Sequence, residues 1–423
     1  VLKSSEVCFV KSKRIEVEPR FSVLLADCQG DFFVRRENMH KVNLPLGTRD
    51  EFGKQAQQKT QLIDLIETEL QQRHYMKVTT PLLEYQEVFA DFDLKQMQTY
   101  QLLDNNNETV VLRPDLTLPI ARFLSTNNLK LPQKFYYVGD RFKIAPPLSG
   151  RYNQLTQAGI EIVGYESVKA ECECLLLINR LSRQLLQGKI QLELGDARFI
   201  DSVLDELTSD RQLKEKIKQL LYQKNLPSYQ QLIKKYADQP VYKFLKVWPR
   251  LFGDYQLIRQ KVIAVGLTGR ARQVFEEIMQ FADWANQMPN QQVTVDLSAA
   301  PPQDYYTGLT FKGFMQDISD YLFSGGRYDQ LLQNFQSQPE PAVGMGIDID
   351  LMVDEAAIPS GKIKHDLLFF EPDQLVWVSQ ICEQYPELEL SLATDLRHAQ
   401  RNARNSDVKL YVINKQGELE DAT

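Results

Sequence analysis

Only four histidines occur in the 423-residue chain, at 40, 74, 365 and 398, too scattered to build a metal constellation. The five cysteines show no CxxC spacing and are odd in number, which argues against both a zinc site and a disulfide framework. Cys172 and Cys174 form a C-x-C within a helical stretch; that spacing turns them to different faces, so they read as small apolar residues. No apolar run reaches the length of a membrane span, and no positive-then-apolar stretch opens the sequence. Positive charge is also in deficit: 49 Lys and Arg against 56 Asp and Glu leave a net charge of −7. That balance argues against a general nucleic-acid binder, which needs a basic face. The expectation is a protein of a reducing cytoplasm that uses no metal and no cofactor. What is present is ordinary for a globular chain: 43% apolar and 25% charged residues, with length for two or three domains.

Residues 1–38 differ from the rest. They show no sustained periodicity and end in Arg35-Arg36-Glu37-Asn38 before Met39. Arg-Arg-Glu can be encoded by purine-rich triplets resembling a bacterial ribosome-binding site. The expectation is therefore that translation begins at Met39 and that 1–38 is a non-native or disordered extension. The alternative is a short β-rich arm built on VCFV and FSVLLADC.

From Gly53 to His74 apolar residues recur at helical spacing without internal Pro or Gly, which predicts a long helix. YMKVTTPLLEY follows as a β-branched strand stopped by Pro81. A main domain is expected over 39–360, with a mostly helical insertion at about 166–288 that contains one strand-like stretch, QLELGDA. The Lys/Glu-rich LKEKIKQLLYQK in that insertion reads as a solvated helix face. After Ile363, HDLLFFEP, LELSLAT and VKLYVIN alternate with two short helices, predicting a small βαβαβ module over 364–423. Its helix bearing Arg397, Arg401 and Arg404 reads as a solvent-exposed face.

Five ordered segments carry a more specific signal. They are LPLGTRD (44–50), LRPDLTLPIAR (112–122), GRYNQLTQAGIEIVG (150–164), QDYYTG (303–308) and SGGRYDQL (324–331). In this order they resemble the histidyl-tRNA synthetase superfamily from about Asn43 to Met352. The resemblance implies an α+β fold: the antiparallel sheet core of the class II aminoacyl-tRNA synthetases with a helical insertion, followed here by the small C-terminal α/β module. It also makes the long helix, strand and Pro81 similar to that family's dimer-interface motif.

A free histidine offers an ammonium, a carboxylate and an imidazole, so its pocket needs carboxylates, amides and hydroxyls at fixed positions. By resemblance, Asp115 and Thr117 fall where the family holds the α-amino group. Gln157 and Glu161 lie four apart on one strand and so share a face. The resemblance gives Glu161 an imidazole N–H and Gln157 the ammonium or carboxylate. Tyr305, Tyr306 and Tyr328 would supply an aromatic wall and hydroxyls.

Adenylate chemistry has further demands, chiefly arginines that fork the ATP phosphates and neutralise shifting charge. Where the family has phenylalanine-arginine, this chain reads Phe142-Lys143; the glutamate and arginine that follow are replaced by Ala145 and Pro146. The glutamate-arginine pair of the third motif is Asp350-Leu351, and the arginine ahead of Asp-Tyr-Tyr is Pro301. Lys143 could still pair with a histidine carboxylate as a point charge.

An amino-acid grip without a phosphate grip resembles the ATP phosphoribosyltransferase regulatory subunits, as does Asp115 where the synthetases carry glutamate. The resemblance implies no catalysis by this chain. It implies a hetero-octamer with a short-form catalytic subunit, self-dimerisation, histidine as feedback effector, and no tRNA or membrane partner. The alternatives are a divergent active histidyl-tRNA synthetase, or a synthetase-like module binding another small molecule or RNA.

Overall fold

A computed structural model describes residues 43–423 apart from 91–97, 128, 147–148, 290, 317, 319, 337 and 359–364. The expectations for 1–38, extension or β-rich arm, lie outside the described residues. The chain divides into two compact units, the first ending at Ala357 and the second spanning Ile358–Thr423.

The first unit opens with helix α1 (Gly53–Gln72), whose Leu62, Ile66 and Leu70 recur every fourth residue as a fully buried stripe. His74, at φ 60, turns the chain out of the helix into β1 (Met76–Lys77). The strand expected over YMKVTTPLLEY is broken: β1 is two residues long, and after Pro81 the chain joins a different sheet as β2 (Leu83–Tyr85). Proline cannot donate to a ladder, so Pro81 marks the switch. β2 pairs with β4 (Thr109–Leu112), which pairs on its other side with β3 (Gln101–Leu103). Helix α2 (Thr117–Asn127) follows.

The main sheet is built on two ten-residue strands, β5 (Gln133–Phe142) and β6 (Gln154–Val163), paired antiparallel without interruption. On β6, Ala158, Ile160 and Ile162 are buried on one face, while Gln157, Gly159 and Glu161 alternate onto the other. After α3 (Lys169–Leu185) come β7 (Gln191–Asp196) and the helices α4 (Ala197–Leu207), α5 (Arg211–Tyr222), α6 (Leu226–Ile233) and α7 (Tyr242–Val247). Then come β8 (Phe252–Asp254), α8 (Tyr255–Val265), α9 (Gly269–Asn286) and β9 (Gln292–Asp296). The unit closes with β10 (Leu309–Phe314), β11 (Tyr321–Arg327), β12 (Ala342–Asp348) and α10 (Ile349–Glu355). The nine-stranded order is β1-β5-β6-β12-β11-β10-β7-β9-β8. Among the described residues of this sheet, β1/β5 and β7/β9 pair parallel and the other neighbours antiparallel.

The stretch expected as a helical insertion within the sheet domain, about 166–288, is mostly helical and contributes two strands, β7 and β8, to the main sheet. Its QLELGD alternates with a period of two and becomes β7, between β10 and β9. Four helices in this stretch start at an Asp or Asn whose side chain accepts a backbone N–H: Asp196, Asp210, Asn225 and Asp254. Trp248, Phe199 and Phe244 pack there ring against ring, with centroids 5.4–6.2 Å apart. α3 packs on β11 and β12, and α10 on β6 and α1.

The second unit holds β13 (Leu367–Phe369), α11 (Leu375–Gln384), β14 (Glu389–Ser391), α12 (Leu396–Ser406), β15 (Leu410–Ile413) and β16 (Leu419–Asp421). β13 lies between parallel neighbours β14 and β15, and β16 adds an antiparallel edge strand beyond the expected βαβαβ. Arg397, Arg401 and Arg404 are exposed on α12.

Candidate functional site

The site is centred on Glu161, whose carboxylate sits at 1% exposure within the main sheet. Both oxygens are occupied. Thr117 Oγ1 donates to Oε1 at 2.8 Å, and the Tyr328 hydroxyl donates to Oε2. Thr117 can reach because it is the first residue of α2, and Asp115 fixes that helix start by accepting the Leu118 N–H at 2.8 Å. Upstream, the buried Arg113 guanidinium donates to the carbonyls of Thr80 at 2.6 Å and Asp140 at 2.8 Å. This ties the lead-in to α2 to β5.

Burial pushes the Glu161 carboxyl up to about 8; the Tyr328 and Thr117 hydrogen bonds pull it down, and Asp115 raises it further. Burial likewise raises Asp115, against the backbone N–H groups of Leu118 and Thr117 and the charges of Arg141 and Lys143. Gln157 Nε2 donates to the Tyr137 hydroxyl at 3.1 Å, which fixes the orientation of the amide. Tyr305, Tyr306 and Tyr328 form a three-ring cluster with centroids 5.1, 5.7 and 6.4 Å apart. Lys143 stands farther out. Desolvation and the charges of Arg141 and Arg151 hold its ammonium below the usual range, while Asp115 and Asp320 oppose them.

Of the eight residues singled out in the sequence, Thr117, Glu161 and Tyr328 are thus directly hydrogen-bonded, with Tyr305 and Tyr306 against the Tyr328 ring. Asp115 is electrostatically coupled to Glu161 and to Lys143. Gln157 joins through Tyr137, which the sequence reading missed. So were the glycines of the floor. A Cβ at Gly344 would lie 1.9 Å from Glu161 Oε2, one at Gly346 2.5 Å from Gln157 Nε2, and one at Gly159 2.2 Å from the Tyr137 hydroxyl. Gly344 stands opposite Glu161 across β12/β6, and Gly346 opposite Gly159. The signal was available: G-x-G within PAVGMG puts two missing side chains on one face of a strand.

The replaced positions have taken other work. Asp350, where the family resemblance expects glutamate, accepts from Arg49 at 2.6 Å, from Lys59 at 2.8 Å and from the Thr156 N–H at 2.6 Å. It joins the segment before α1, α1 itself and β6. The Ala145 N–H donates to Asn153 Oδ1 at 2.8 Å, a turn contact with no charge to offer a phosphate. Pro301 lines a cavity of about 20 Å³, room for about one water. The cation lining that cavity, Lys312, is already 3.4 Å from Glu193. At the replaced positions themselves, Lys143, Ala145, Pro146, Pro301 and Leu351 supply no arginine fork for a triphosphate.

Among the described residues, no group of three His, Cys, Asp or Glu is placed to hold a metal, and no helix is long and apolar enough to cross a membrane. The histidyl-tRNA synthetase family model matches residues 47–352. The ATP phosphoribosyltransferase regulatory subunit of Lactiplantibacillus plantarum is 46% identical over 88% of this chain and 97% of its own. That of Limosilactobacillus fermentum is 42% identical over 91% and 100%. The crystal structure of an ATP phosphoribosyltransferase regulatory subunit/histidyl-tRNA synthetase from Bacillus halodurans superposes with a TM-score of 0.71 at 25% identity, covering 85% of this chain and 96% of that one. With the α+β sheet core described above, these likenesses establish that the chain belongs to the ATP phosphoribosyltransferase regulatory subunit family and carries a histidyl-tRNA synthetase-type domain.

Proposed function

We propose that this chain is the non-catalytic regulatory subunit of an ATP phosphoribosyltransferase, acting at the first step of histidine biosynthesis. It would be required by a short-form catalytic subunit and would take free histidine as feedback effector in the Glu161 pocket. One observation carries the reading: the Glu161–Thr117–Tyr328 clamp is complete, while Lys143, Ala145, Pro146, Pro301 and Leu351 replace the charged groups that adenylation needs. Pro146, Pro301 and Leu351 stand where the family has arginine, and each such preorganised donor lost removes about 3 kcal/mol from the transition state, so an active synthetase is a poor fit to this site.

Assembly follows the same reading. The β2-β4-β3 sheet turns Leu83, Tyr85 and Leu102 outward, each about half exposed, and such an apolar face suits self-association. Histidine regulates only if it binds two states of the complex unequally. The test is reconstitution. Phosphoribosyl transfer by a short-form catalytic subunit should require this chain and fall on adding histidine. Activity that ignores both would sink the proposal.

A further inference from the structure

The clamp around Glu161 accounts for a side chain with a hydrogen-bonding ring, and Asp115 for an ammonium. For the α-carboxylate it leaves the Gln157 amide and the point charge of Lys143, neither of them a fork, and Arg141 is placed to supply one. In the uninterrupted β5/β6 register Gly139 lies opposite Gln157 and Arg141 opposite Leu155, so Arg141 is one step outward from Gln157. It shares the face of β5 that carries Tyr137, four residues back, whose hydroxyl already meets Gln157.

Arg141 is under-used. Its Nε is buried and donates to nothing. Among the described residues its ion-pair partner is Asp348, with Nη2 3.6 Å from Oδ2, too long for a hydrogen bond. Asp348 is otherwise engaged, since its Oδ1 accepts the Leu351 N–H at 3.0 Å and caps α10. Lys143 and Arg151 add positive charge nearby, and Arg151 is drawn outward to Asp320 at 3.0 Å. A buried guanidinium edge with an unfilled donor, beside a surplus of cations, calls for a planar anion.

We propose that Arg141 binds the α-carboxylate of the amino acid held by Glu161, with Lys143 as a secondary charge and Asp115 facing the ammonium. The inference rests on the pocket reading above and adds to it a residue that selects free amino acids over their neutral esters. Arginine suits the task because its fork matches two carboxylate oxygens, which a lysine cannot do.

Calorimetry on the full chain tests it, with histidine and histidine methyl ester as ligands and Arg141→Met and Arg141→Lys as variants. The wild-type protein should favour histidine over the ester. Arg141→Met should weaken histidine about 10- to 100-fold, leave the ester within about threefold, and so erase the preference. Arg141→Lys should restore part of it. Equal loss of both ligands in Arg141→Met would mean that the residue only supports the fold. An undiminished preference would assign the carboxylate to Lys143 alone. Displacement of histidine by millimolar inorganic phosphate in the wild type, but not in Arg141→Met, would make this a phosphate subsite. Each of these three results overturns the assignment while leaving the pocket intact. Wild-type protein that binds neither ligand removes the pocket reading and the inference with it.

Discussion

Glu161 on β6 and Gly344 on β12 stand directly opposite each other, and a Cβ at 344 would lie 1.9 Å from a Glu161 carboxylate oxygen. The glycine is therefore a condition of the clamp: only without a side chain there can the carboxylate lie flat between Thr117 and Tyr328. Gly344→Ala should cost about 1–3 kcal/mol of stability as the carboxylate is displaced, and should abolish histidine binding. Urea unfolding and calorimetry read the two effects separately. Unchanged values in both would show that the carboxylate has somewhere else to go.

The same carboxylate sets a pH dependence. Its value rises from 4.5 to about 8 on folding, so between those limits the native state keeps a proton that the unfolded state has released. Stability supplied by this site is thus full below about pH 4.5 and declines as pH rises to about 8. Glu161→Gln keeps the shape and removes the titration. Plotted against pH, the melting temperature of wild type minus that of Glu161→Gln should fall between pH 5 and 8.5. A flat difference would place the protonation elsewhere.

That Glu161, Thr117 and the tyrosines come together was legible because each sits in a short ordered segment of the family resemblance. The sequence made the α1 stripe legible through fourfold spacing and β7 through twofold spacing. It hid three things, each for a physical reason. Pro81 was visible, but that the chain changes sheets there depends on which strand accepts it. Tyr137 and Gly344 act across strand pairs, and register is a long-range property that local periodicity does not carry. Arg141 and Asp348 are more than 200 residues apart, and neither looks unusual until the other is placed beside it.

Asp350, where the family resemblance expects glutamate, has a structural role here. Its side chain, 4% exposed, is the shared acceptor for Arg49 and Lys59, with Glu51 bridging the same two cations. Removing it leaves two half-buried cations on Glu51 alone and strips the Thr156 N–H of its partner. Asp350→Ala should destabilise the first unit by about 2–4 kcal/mol, a figure below that for a fully buried pair because Arg49 remains partly solvated. Thermal unfolding checks it. A loss under about 1 kcal/mol would mean that Glu51 alone satisfies both cations.

Adenylation should be beyond repair by any single change. Lys143→Arg returns one fork, but Ala145, Pro146, Pro301 and Leu351 still lack their charges, and Asp350 is committed to Arg49 and Lys59. Histidine-dependent ATP–pyrophosphate exchange should stay at background in the wild type and in Lys143→Arg. Exchange above background in the wild type would return the chain to the synthetases.

The outward face of the β2-β4-β3 sheet gives the last test. Tyr85 and Leu102 both oppose Val110, and Leu83 opposes Leu112, so these side chains share one side of the sheet. Glu84 and Val111 on the other side are buried, with Glu84 paired to Arg122 at 2.8 Å. The inner face is thus already satisfied, and Leu102 is free to change without disturbing it. If the apolar side is covered by a second copy, Leu102→Glu places an unpaired charge in the contact and should move the protein from dimer to monomer in light scattering, with melting of the monomer little altered. Repulsion between two such charges near a two-fold axis adds to the desolvation cost, so the dissociation constant should rise at least about 100-fold. A dimer of unchanged strength would assign this face to some other partner.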